Sequence, residues 1–188
     1  AHRRKTVGAS TLQTQMYYLK QAITNSRIKT ELPVVDMAIS ELKLKKIIMG
    51  SKKRDRRLEP GEYEALMNEA EGHWISAAID IALESAMRQG EIHALKWSDI
   101  NESKGVIRLK RKDKDAETGQ SEQKIPMVQG VREALLRAHN VFGQGPHLIP
   151  VKRSASISDK FARLTKELGI VDLRFHDLRH EAISRMVE

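Results

Sequence analysis

The stretch from Trp74 to Met87 is apolar nearly all the way round a helix, with Ile75, Ala78, Ile79, Ala82, Leu83 and Ala86 leaving no wide polar face. A helix of that kind is stable only at the centre of a core, with other elements packed around it. Aromatic residues make up 4% of the chain, so those surrounding elements must be mainly aliphatic. Three segments fit at helical spacing: Leu66, Met67 and Ala70 behind Pro60 as a first helical residue; Val131, Leu135 and Ala138; and Phe161, Leu164 and Leu168 ending at Gly169. Ser156 or Ser158 is placed to cap the last of these. At 188 residues the chain is long enough for one good core and a smaller second piece.

Two short β-patterned runs, 105–109 and 124–127, flank a polar, lysine-rich stretch that holds Thr118-Gly119. They predict a long hairpin. The expected fold is therefore α+β, mainly helical with a small antiparallel sheet. Upstream, Ser10 or Thr11 is placed to cap a helix through Leu12, Met16, Leu19 and Ile23. Pro33 opens a second helix through Val34, Ile39, Leu42 and Leu44. Between these helices and the core lies Gly50-Ser51-Lys52-Lys53-Arg54-Asp55-Arg56-Arg57, which has no apolar periodicity and is read as an exposed linker.

The net charge of +8 is concentrated there. Residues 1–57 carry 14 Lys and Arg against 4 Asp and Glu, whereas residues 58–188 carry 19 against 21. A basic segment on a near-neutral body is the pattern of a chain that tracks a polyanion, and Lys52, Lys53, Arg54, Arg56 and Arg57 are the candidate phosphate contacts. The chain has no cysteine, which excludes disulfides, thiolate zinc sites and cysteine nucleophiles and suits a cytoplasmic protein. No apolar run has the length of a membrane span, and the N-terminal residues lack a signal-peptide core.

Near the C-terminus stands Phe175-His176-Asp177-Leu178-Arg179-His180, leading into Glu181-Ala182-Ile183-Ser184-Arg185-Met186. On a helix Phe175, Leu178, Ala182 and Met186 share an arc that faces the core, while Asp177 and Glu181 fall on the opposite side, expected to be wet. Arg179 projects close to the middle of the apolar arc and needs an anion there, an internal carboxylate or a ligand phosphate. Arg88 stands where the central helix breaks at Arg88-Gln89-Gly90-Glu91, with Glu91 spaced to orient it and Gly90 allowing close backbone approach. A short helix through Ile92 and Leu95 follows.

Taken in order, residues 86–95, Trp97-Ser98-Asp99-Ile100, Ile125-Pro126-Met127 and Phe175 to His180 resemble the tyrosine recombinase (phage integrase) family over about residues 56–188. Met87 to Ile92 and Phe175 to Arg185 look most like the shufflon-type DNA invertases of plasmids. The resemblance implies a catalytic domain at 58–188, an interdomain linker at 49–57 running along DNA, and at 1–48 the end of a helical core-binding domain. It also implies a chemistry: a tyrosine attacks a DNA phosphodiester, leaving a 3′-phosphotyrosine and a free 5′-hydroxyl, without metal or nucleotide cofactor. Arg88 and Arg179 match the two arginines that hold the non-bridging oxygens. His176 matches the histidine, Glu91 the acidic residue that braces the first arginine, and Lys114 or Lys112 the hairpin lysine that protonates the leaving oxygen. The implied partner is double-stranded DNA, held by a homo-tetramer of the full-length protein.

The family pattern continues past His-x-x-Arg to a further histidine or tryptophan and then the nucleophilic tyrosine. Here the tyrosines are Tyr17, Tyr18 and Tyr63, all upstream of the matched motifs. The expectation is thus a C-terminally truncated catalytic domain, inactive alone. The competing expectation is a non-catalytic DNA-binding protein on the same scaffold. A metal-dependent nuclease using His176, Asp177 and His180 is disfavoured because Asp177 points away from His176 on the helix.

Overall fold

The computed structural model describes residues 7–26, 32–50, 54–110, 122–143 and 145–188. The chain forms two compact units, residues 1–54 and residues 55–188.

The first unit pairs α1 (Ala9–Asn25) with α2 (Leu32–Leu44), and Lys20 Nζ reaches Asp36 Oδ1 at 2.7 Å between them. Neither helix buries a side chain. Gly8, not Ser10 or Thr11, holds the N-cap position of α1 in extended conformation, and its carbonyl accepts from Leu12 N. Ser10 already lies in the first turn, where its carbonyl accepts from the Thr14 hydroxyl.

In the second unit the helix predicted to be central is α4 (Trp74–Ser85), and nine of its twelve residues are buried. That burial reaches all sides because α6 (Gln129–Phe142), α7 (Ala155–Glu167), α8 (Phe175–Val187) and the short α5 (Gln89–Ala94) pack around it. α3 (Glu62–Glu69) lies against α7 and starts after Pro60, with Gly61 at φ +84° turning the chain into it. The N-cap of α7 is Ser154 rather than Ser156 or Ser158. The Ser158 hydroxyl is already occupied within the helix, donating to Ala155 O at 3.0 Å.

The sheet has three antiparallel strands in the order β1 (Ile100–Asn101), β2 (Val106–Lys110), β3 (Glu122–Pro126). Ile107 pairs with both Ile100 and Ile125, and Ile107, Leu109 and Ile125 turn inward to the core. Pro126 ends the edge strand β3, where a missing N–H is tolerated. β1 was not anticipated. It forms because Asn101 Oδ1 accepts from Lys104 N and the Ser103 hydroxyl, both at 2.9 Å, and Gly105 takes φ +62°, a side-chain-built turn with no apolar pattern to announce it.

Candidate active site

The site starts where α4 stops. Ala86 leaves the helix in the left-handed region at φ +52°, and Met87, 1% exposed, pins the break into the core. Arg88 then takes an extended conformation as the N-cap of α5. Its N–H donates to Glu91 Oε2 at 2.6 Å and its Nη1 to Glu91 Oε1 at 3.1 Å, so one carboxylate holds both backbone and guanidinium. The rest of the guanidinium faces outward, the side chain being 61% exposed. Gln89 fastens the same turn to the start of α7 through Nε2 to Ser154 O at 2.7 Å. A Cβ built on Gly90 would stand in open space, so the close backbone approach expected there is not seen among the described residues.

α8 brings the second half. Asp177 Oδ2 accepts from Arg174 N at 2.8 Å and so closes the helix start, while Phe175 packs edge-on against Phe161, centroids 5.5 Å apart. From a helix fixed in this way, Arg179 Nη1 donates to the carbonyl oxygen of Ala86. Its partner is therefore a carbonyl left unpaired where α4 ends, not the internal carboxylate that burial alone suggests. The two arginines are thereby tied to backbone positions two residues apart.

His176 lies in the first turn of α8, three residues before Arg179. Partial burial pushes its imidazole below the ordinary value, and neighbouring His180, Arg179 and Arg88 push the same way, with Asp177 opposing. Held below its ordinary value, the ring is neutral at neutral pH and can donate or accept a hydrogen bond. His180 lies edge-on to it at 5.0 Å between centroids. Lys112 and Lys114 lie outside the described residues, as do Lys52 and Lys53.

Two expectations about α8 need correction. Asp177 and Glu181 are not on a wet face: they are 2% and 5% exposed. Asp177 is turned back onto Arg174 N, and the first residues of the second unit cover Glu181. Glu181 accepts from Arg57 Nε at 3.0 Å, from Leu58 N at 3.4 Å and from Arg185 Nε at 2.8 Å. Burial alone would raise its carboxyl, but the hydrogen bonds from Arg57 and Arg185 outweigh that and hold it below the usual range. Conversely Met186, placed on the core arc, is 60% exposed, because the core beneath α8 ends at Ala182.

The same contacts bear on the candidate phosphate contacts. Arg56 pairs with Glu62 and also donates to Arg57 O and Val171 O. Arg57 pairs with Glu181 and, through Nη1 at 2.5 Å, with Glu188. Both arginines are held by carboxylates of their own unit, which a count of basic residues does not reveal.

Residues 56–188, the part that holds this whole constellation, match the phage integrase family. The chain belongs to that family. It is 34% identical over 145 residues to a shufflon-specific DNA recombinase of Escherichia coli, covering 72% of this chain and 34% of that protein. It is also 31% identical over 111 residues to a putative integrase/recombinase of Haemophilus influenzae, covering 59% of this chain and 34% of that one. The chain therefore spans about a third of the length of the curated relatives it matches. Among solved structures, the Tn1549 transposon integrase in complex with a circular intermediate DNA superposes with a TM-score of 0.69 at 19% identity, over 98% of this chain and 69% of that one. The lambda integrase catalytic core gives 0.54 at 25% identity, over 68% and 81%. The mainly helical integrase fold with its small antiparallel sheet is thus shared with these proteins.

Proposed function

We propose that residues 55–188 form the phosphate-activating part of a site-specific DNA recombinase that cuts and rejoins strands through a 3′-phosphotyrosine. The observation that carries this reading is the tie between α8 and the end of α4: Arg179 donates to Ala86 O, two residues before Arg88, and His176 lies three residues before Arg179 on the same helix. A phosphodiester under attack spreads charge over its non-bridging oxygens, and two planar, permanently charged donors held by the backbone are suited to stabilise it. His176, neutral and exposed, supplies a third hydrogen bond and a means of moving a proton.

The attacking tyrosine comes from outside this constellation. Tyr63 is committed to Asp80, donating to Oδ1 at 2.8 Å, and burial together with that bond pushes its phenol up to about 12, away from nucleophilic use. Tyr17 and Tyr18 belong to the first unit. The leaving 5′-oxygen takes its proton from the hairpin lysine, Lys114 or Lys112. Binding partner and assembly follow the same reading: double-stranded DNA, held by a homo-tetramer. The E. coli relative is a shufflon-specific DNA recombinase, which favours site-specific recombination as the reaction.

The test is adduct formation on a nicked suicide substrate, with a protein extended beyond Glu188 to include a downstream tyrosine. A covalent adduct lost on replacing that tyrosine with phenylalanine supports the reading. Duplex binding without any adduct would favour a non-catalytic DNA-binding protein. Slow cleavage by Lys114→Ala that recovers on a 5′-bridging phosphorothiolate would assign the general acid; recovery by Lys112→Ala would move it there.

A further inference from the structure

α8 is held on two sides. Arg179 fastens it to the break that carries Arg88, by donating to Ala86 O. Two residues on, about 200° around the helix, Glu181 fastens it to the first residues of the second unit. Its carboxylate takes hydrogen bonds from Arg57 Nε and Leu58 N and is 5% exposed. Arg57 Nη2 adds a longer bond at 3.4 Å, and the other donor to that carboxylate among the described residues, Arg185 Nε at 2.8 Å, belongs to α8 itself. Arg57 stands just inside the boundary at Arg54 and Asp55 where the two units divide.

From this we propose that Glu181 is a positioning residue, whose clasp on Arg57 and Leu58 N sets the rotation of α8 and hence where His176 and Arg179 meet the Arg88 turn. The proposal rests on the recombinase reading for its consequence, though not for the clasp. A carboxylate desolvated to this degree keeps its charge only with cationic partners at hand. Pulling Arg57 away therefore does more than expose a side chain: it leaves Glu181 buried with Arg185 alone, and the helix relaxes toward a geometry that hydrates it. Any movement of the entry segment is passed in this way to the two phosphate-binding side chains on α8.

Nuclear magnetic resonance on the 188-residue chain without DNA tests the clasp, following the His176 Cε1–H and Arg179 Nε–H signals. Arg57→Ala and Glu181→Gln should move both signals in the same direction, and Arg57→Lys should return them most of the way. Arg185→Ala removes an equal charge from Glu181 but no link to the entry segment, and should leave them near their original positions. Signals unmoved by Arg57→Ala, even with a lowered melting temperature, would reduce Glu181 to a structural ion pair and overturn the proposal. Equal movement in Arg185→Ala would overturn it too, since simple electrostatics would then suffice. If Glu181→Gln does not fold, Arg57→Ala still decides, because that side chain is 41% exposed and removable.

The second arm uses the extended protein at saturating duplex DNA. There Arg57→Ala should slow cleavage by about 2- to 30-fold, the span of coupling changes carried through packed networks, and Arg57→Lys should restore it. Unchanged cleavage by Arg57→Ala would overturn the positioning role. No adduct from the unsubstituted extended protein, with the signals moved as expected, would sink the recombinase reading and leave the clasp standing.

Discussion

Arg88 and Arg179 do similar work on a phosphate but are held differently, and their substitutions should separate accordingly. Arg88 is mostly exposed, with its charge balanced by Glu91 at the surface. Arg88→Ala should cost the fold no more than about 1 kcal/mol, as for exposed ion pairs. Arg179 donates to the Ala86 carbonyl from a half-buried position, and Arg179→Ala removes that charge-assisted bond. A loss of about 1.5–3 kcal/mol is expected for such a bond, read from urea unfolding of the 188-residue chain. In the extended protein both substitutions should remove cleavage while leaving most DNA binding, with about 2.7–4 kcal/mol of transition-state stabilisation lost per donor. His176→Ala should be milder, since a neutral donor contributes less than a guanidinium. Equal stability losses for the two arginine variants would show that the Ala86 bond is not formed in solution.

At the scale of elements, the break between α4 and α5 stores strain and the buried helix carries a hidden charge. Ala86 sits at φ +52°, where a residue with a Cβ costs roughly 1–2 kcal/mol over glycine. Ala86→Gly should raise thermal stability, offset in part by the greater freedom glycine gives the unfolded chain. Asp80 lies within the apolar α4, yet it is satisfied by Tyr63 and by Arg137, whose Nη2 reaches it at 2.7 Å. Arg137→Ala should cost about 3 kcal/mol, near the low end for breaking a buried pair because Arg137 is half-exposed. Removing Asp80 as well should recover part of it, a coupling that a double-mutant cycle measures. These elements also show what was legible in the chain. The all-round apolar pattern of residues 74–87 identified the centre of the core, and the ordered motifs identified the family. The helical wheel correctly placed Asp177 and Glu181 on one face of α8. It could not say that a basic segment more than 100 residues upstream covers that face, since periodicity reports which residues share a side and not what lies against it. β1 was missed because a turn built by the Asn101 side chain has no period.

The whole molecule responds to pH through two sets of groups that act in the same direction, both losing their contribution as the pH falls. His73 is pushed down by burial and then by Lys160, and His176 by burial and then by its cationic neighbours. A histidine depressed in the fold binds fewer protons than in the unfolded chain, so stability falls as pH drops below 6.5 toward the folded values. Urea midpoints at pH 7.5 and 5.5 should show this, and His73→Asn, which keeps an N-cap acceptor for Ile75 N, should flatten it. Glu181 is held low, so its contribution is present above the ordinary carboxylate value and is lost at more acid pH, as the pH falls through its folded value. Charge distribution sets the response to salt. Residues 1–54 hold twelve Lys and Arg against three Asp and Glu, whereas Arg56 and Arg57 already have carboxylate partners in the second unit. Each phosphate neutralised releases counterions and adds roughly 0.9 to the slope of log affinity against log salt on duplex DNA. Fluorescence anisotropy with a labelled duplex between 50 and 200 mM salt, as an order-of-magnitude range, should therefore give a steep slope for the 188-residue chain. Deleting residues 1–54 should flatten it sharply, and Arg56→Ala with Arg57→Ala should change it little. A slope that survives the deletion but collapses in the double alanine variant would mean that Arg56 and Arg57 leave their carboxylates for the DNA backbone, and that the basic first unit is a bystander.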